Sequence, residues 1–260
     1  MNTSIDYLLH LADSALIIGQ RNAEWCGQGP VLEEDIALAN ISLDHIGQAR
    51  MLYQLVAEIQ GGDVTEDRLA YFRGEREYRN YTLLELPHHA GMAAYASTDR
   101  DYAVTIVRNF LYSTLMLLVW DQLQNVANEQ VAAIAAKSLK EARYHVRHSA
   151  DWLVRLGDGT EASQQRMQAA LDYLMPFTQE FWAPTSMETA AAEAGCGVET
   201  WALKDTWTTL VSAKVAEATL TLPEVSGYVT QGKAQLHSEH LGYVLAEMQS
   251  LARAYPEAVW

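Results

Sequence analysis

The sequence predicts an all-α protein, and three observations carry that prediction. Apolar residues recur at spacings of three and four along most of the chain. Glycine and proline are few, 15 and 6 in 260 residues, and most stand between the periodic segments rather than within them. No stretch alternates apolar and polar as a half-buried strand would, and no repeat or low-complexity tract interrupts the pattern. With 49% apolar residues the chain can bury a sizeable core.

Residues 4–21 carry Ile5, Leu8, Leu9, Ala12, Leu16 and Ile17 on one helical face. Gly27, Gly29 and Pro30 break the helix. The chain restarts over 31–60, where Leu32, Ile36, Ala39, Leu43, Ile46 and Tyr53 recur at helical spacing. Glu33, Glu34 and Asp35 suit the dipole at its first turn, and Gly61-Gly62 ends it. A third helix is expected over 66–86, stopped by Pro87, and a very apolar fourth over about 98–127. A fifth, over 129–155, places Val131, Ala135, Leu139, Ala142, Val146, Ser149 and Leu153 inside. Further helices follow at about 160–182, 186–194, 199–220 and 236–254, with 223–235 the longest non-helical segment. The expectation is one domain over 1–260, a bundle core at about 4–155 with a C-terminal helical extension at about 160–254.

The charge narrows the function classes. At a formal −15 the chain lacks the basic footprint of a nucleic-acid binder and is poorly suited to an anionic membrane surface. The longest nearly uncharged apolar stretch, Phe110 to Trp120, is too short to span a bilayer. The N-terminus has neither a basic region nor a cleavage site, and Cys26 and Cys196 form no metal or redox motif. A cytoplasmic protein with two reduced thiols is expected. There is no phosphate-binding glycine loop and no nucleophile motif.

An all-α bundle invites a test for a carboxylate-bridged di-metal centre, in which two helices each give a Glu and two give Glu-x-x-His. Glu85-Leu-Pro-His88 is the single match, and Pro87 inside it marks a helix end. His145 and His148 share i, i+3 spacing and read as one inward and one outward polar residue; His237 and His240 share it too, and capping with interface hydrogen bonding explains that pair better than ligation does. Asp44 and Gly47 are odd for a core face, because a mid-helix glycine costs about 1 kcal/mol against alanine, so a close neighbour is expected there. Lys137, Lys140, Arg143 and Arg147 form a basic stripe, either a solvated face or a contact for an acidic partner or a phosphate-bearing ligand.

Four runs, in order, resemble one family: Gln20 to Gly27, Asp35 to Asp44 with Gly47 to Arg50, Ala136 to His145, and Leu236 to Gly242. They are similar to the C subunits of bacterial ring-1,2-phenylacetyl-CoA epoxidases over essentially the whole chain. The resemblance implies a ferritin-like four-helix bundle with additional C-terminal helices. It implies a non-catalytic, structural subunit of a multicomponent monooxygenase of aerobic phenylacetate breakdown. The di-iron centre belongs to a related catalytic A subunit, a reductase subunit supplies electrons from NADPH, and O2 is the oxidant. This chain would then hold no cofactor and meet phenylacetyl-CoA only through the complex; self-association stays open. Carried over from the A subunit, the metal positions fall on Ala15, Asp44, Gly47, Ser113, Ala142 and His145. Only Asp44 and His145 could still ligate, and the two are expected to pair. Lys137, Lys140, Arg143 and Arg147 become candidates for partner or CoA-phosphate contact. Two rival readings remain: an autonomous ferritin-like oxidoreductase with an atypical metal site, and a standalone acyl-CoA-binding bundle.

Overall fold

The computed structural model describes residues 2–89, 100–225 and 227–258, with side chains from residue 5 onward. Its helices are α1 (Asn2–Ala23), α2 (Leu32–Gln60), α3 (Glu66–Tyr71), α4 (Thr82–Glu85), α5 (Tyr102–Leu123), α6 (Glu129–Gly157), α7 (Glu161–Leu174), α8 (Gln179–Trp182), α9 (Ser186–Glu193), α10 (Lys204–Glu217) and α11 (Glu239–Ala254). Among the described residues β pairing amounts to one isolated bridge, Gln231 to Leu236. The all-α, ferritin-like class therefore stands, with long helices early and shorter ones added toward the C-terminus.

The chain packs as two compact units, Met1–Leu86 with Thr230–Trp260, and Pro87–Val229. In the first, α1 lies along α2, α3 and α4 close its side, and α11 returns to pack on α1, α3 and α4. The α1–α2 pairing is antiparallel. Ser42 Oγ donates to the Gly19 carbonyl at 2.6 Å, while Tyr53 reaches back to Asp13 at the same distance. In the second unit α5 lies along α6, and α7 and α10 cover them. That pair is antiparallel too, with Tyr102 edge-on to Trp152 at 5.8 Å between ring centroids.

Helix starts follow the chemistry of their caps. Thr65, Asp101, Asn128, Thr160, Thr185 and Ser238 each accept a backbone N–H of the first turn. Each such cap contributes about 1 kcal/mol. Helix α5 is long and apolar enough to cross a membrane, more so than its central run suggested, but nearly all of it is buried inside the fold.

Four expectations change. The helix expected over 66–86 is broken: α3 ends at Tyr71, a 3-10 turn covers Glu75–Glu77, and α4 is a single turn. The cause is Arg73, whose guanidinium turns inward to a buried carboxylate, and Gly74 follows with extended backbone (φ −82°, ψ 167°). The helix expected over 160–182 also breaks. Pro176 lacks an N–H for the ladder and converts Met175–Thr178 to 3-10 before α8. Within α2 the large aliphatic members of the repeat lie on its outer side: Leu32, Ile36 and Leu43 are exposed, whereas Tyr53 of the same repeat is buried with Leu38, Ile41, His45, Gln48, Leu52 and Val56. Part of the expected 98–127 helix, residues 98 and 99, lies outside the described residues, and 124–127 form a turn rather than helix.

Candidate functional site

The expected metal positions fall in both units. In the first, Ala15 on α1 is buried, and Asp44 and Gly47 on α2 are half-buried. A Cβ built on Gly47 meets no atom within 4 Å, so the close neighbour expected there is not found among the described residues. In the second, Ser113 on α5 is buried, and its hydroxyl has no hydrogen-bond partner among the described residues. Ala142 and His145 on α6 are buried, and the His145 carbonyl accepts from Ser149 Oγ at 2.7 Å. Asp44 belongs to one unit and His145 to the other.

Donor chemistry decides whether these residues fit a dinuclear metal centre. Alanine and glycine carry no donor and serine a weak neutral one, which leaves one carboxylate and one imidazole among six positions. Two divalent ions need more anionic oxygen than that. Among the described residues no group of three or more His, Cys, Asp or Glu side chains is placed to hold a metal ion.

The basic stripe is where the spacing put it. Lys137, Lys140, Arg143 and Arg147 are all exposed on α6, and the Arg147 guanidinium sits 5.6 Å from the centre of the Tyr144 ring.

The histidine pairs resolve into separate contacts. Glu85 and His88 do not act as a ligand pair. Glu85 is fully buried and accepts from Asn80 Nδ2 at 2.9 Å and from the Ser238 N–H at 2.6 Å. His237 Nδ1 lies 2.9 Å from Glu85 Oε2, and its Nε2 lies 2.8 Å from the Tyr78 carbonyl. The Tyr78 carbonyl can only accept, so His237 donates to it from Nε2. Arg21 meanwhile donates twice to the Glu85 carbonyl. His88, in the second unit, meets Thr105 Oγ1 at 2.7 Å and Arg108 at 2.9 Å. His240 is buried in the first turn of α11, behind the Ser238 cap.

The chain belongs to the phenylacetic acid catabolic protein family. The family's model matches residues 1–260. One relative, the C subunit of the 1,2-phenylacetyl-CoA epoxidase of Escherichia coli (strain K12), is 42% identical over 261 residues, covering all of both chains. The family resemblance read from four sequence runs is thus shown across the whole length.

The most elaborate polar structure of the first unit was not singled out from sequence. Asp13 is fully buried on α1 and is bonded by Tyr53 Oη at 2.6 Å, the Arg79 N–H at 2.8 Å and the Arg73 guanidinium. Arg73 also donates to the carbonyls of Leu69 and Glu77 and lies 4.4 Å from the Tyr78 ring centre. Gln249 of α11 donates to the Arg73 carbonyl at 3.0 Å and to Tyr78 Oη at 3.1 Å. Burial alone would depress the Arg73 pKa, but the Asp13 carboxylate beside it carries it above the usual arginine value. Burial, then Asp13, push the Tyr53 hydroxyl well above the usual tyrosine value; burial does the same to Tyr78 against the opposing pull of Arg73. These groups pair with one another and with backbone carbonyls, an arrangement that braces rather than reacts. It ties α1, α2, the 72–79 segment and α11 together.

Proposed function

We propose that this chain is the structural, non-catalytic subunit of a multicomponent monooxygenase that epoxidises the ring of phenylacetyl-CoA. Its partner would be the di-iron catalytic subunit, with a reductase subunit passing electrons from NADPH and O2 as oxidant, in the cytoplasm. Full-length similarity to a protein named as the C subunit of that epoxidase carries the reading. Side-chain chemistry supports it: the positions that the resemblance assigns to metal donors include Ala15, Gly47, Ser113 and Ala142, whose side chains offer no strong metal ligand.

On this reading the chain acts by shape and charge. Its buried Asp13–Arg73 ion pair braces the first unit internally, and its surface meets the catalytic subunit. Lys137, Lys140, Arg143 and Arg147 suit an acidic partner surface or the phosphates of CoA, as a cationic row in a chain of formal charge −15. The test is co-expression with a di-iron catalytic subunit. Co-elution as one complex at micromolar concentration supports the reading, and separate elution rejects it.

A further inference from the structure

Four large aliphatic side chains stand in solvent along one helix. Val31, Leu32, Ile36 and Leu43 are 51, 72, 52 and 64% exposed. Steps of four and seven residues put Leu32, Ile36 and Leu43 on one stripe of α2, with Val31 just ahead of the helix. The opposite side of α2 is already covered, since Leu38, Ile41, His45, Leu52 and Val56 are buried. The outer stripe is therefore not used by the helix's own packing.

A single exposed leucine needs no explanation. Together these four side chains leave on the order of 400 Å² of apolar surface in water, the size at which such patches usually serve binding. The stripe runs on to Gly47, one turn beyond Leu43, where a Cβ would meet no atom within 4 Å. A glycine at that point lets a neighbouring backbone approach closely.

The rim of the stripe selects its occupant. Glu33 and Asp44 border it on one side and Asp35 on the other, and the first basic residue along α2 is Arg50, apart from the histidine at 45. A second copy would set acidic rim against acidic rim between chains of formal charge −15 each. Like charges facing one another across an interface oppose pairing. The geometry points to the Leu32–Ile36–Leu43 stripe as the docking surface for a helix of a different chain, one whose apolar ridge is flanked by lysine or arginine. This rests on the proposed function, within which that chain is the di-iron catalytic subunit.

The test is affinity capture of the co-expressed catalytic subunit by the full chain. I36E/L43E should lower capture roughly tenfold or more, as loss of a central apolar contact does. Leu251→Glu, a similarly exposed leucine on α11, should capture as wild type does. Both positions are in solvent, so the melting temperature of I36E/L43E should match wild type; L32S/L43S serves if it does not. Undiminished capture by the double variant would overturn the assignment while leaving the proposed function intact. Equal loss in Leu251→Glu would overturn it as well. Sedimentation of the isolated chain should give a monomer, and a dimer abolished by I36E/L43E would assign the stripe to a second copy instead. No capture by wild type would reject the function and the docking surface together.

Discussion

Asp13 and Arg73 hold opposite charges out of water in the first unit, and each is satisfied several times over. Removing one partner strands the other. Asp13→Ala or Arg73→Met should cost about 3–5 kcal/mol, read as a lowered urea midpoint, whereas Arg147→Ala, on an exposed stripe, should cost under about 1 kcal/mol. The tyrosines add a dependence on pH. Tyr53 and Tyr78 have raised values when folded, so the native state keeps protons that the unfolded chain releases. Their contribution is fully present below the unfolded tyrosine value of about 10 and fades as pH climbs past it. The urea midpoint should therefore fall above about pH 10, and Tyr53→Phe should flatten part of that fall. A midpoint flat to about pH 12 would remove this account of the network. The sequence had no means of showing the pair. The two residues are 60 positions apart, and neither occupies a motif.

Helices were largely legible because their determinants are local. Caps, terminal glycines and periodic apolar residues lie within a few positions of the helix they define. The failures have long-range or misread causes. The 66–86 segment reads as helix until Arg73 is drawn to Asp13, and α2 shows its most regular apolar repeat on the side that faces water. Periodicity gives the helix but not which face is buried when both faces are apolar. Glycines make the element-level account testable. A Cβ at Gly232 would stand 2.3 Å from the Asn80 carbonyl, where the incoming loop presses on the chain before α4. Gly232→Ala should therefore destabilise by about 1–3 kcal/mol. Gly47→Ala meets open space within a helix and should stabilise by about 0.5–1 kcal/mol, although both replace glycine by alanine. Thermal melts of the two variants decide, and a stabilised Gly232→Ala would show that the loop is not pressed there.

At the scale of the whole molecule, the class and the family could both be read from sequence. They rest on residue identity, and the match over residues 1–260 bears out the family. The docking stripe could not be read, because its meaning depends on which side of α2 its own unit covers. The central claim is that this chain supports iron chemistry in a partner without holding the iron. The most direct measurement is metal content after purifying the complex and separating its two subunits. The account predicts iron with the catalytic subunit and under about 0.1 equivalent with this chain, since no set of donors among the described residues matches a di-iron site. About two equivalents of iron retained per copy of this chain would contradict it.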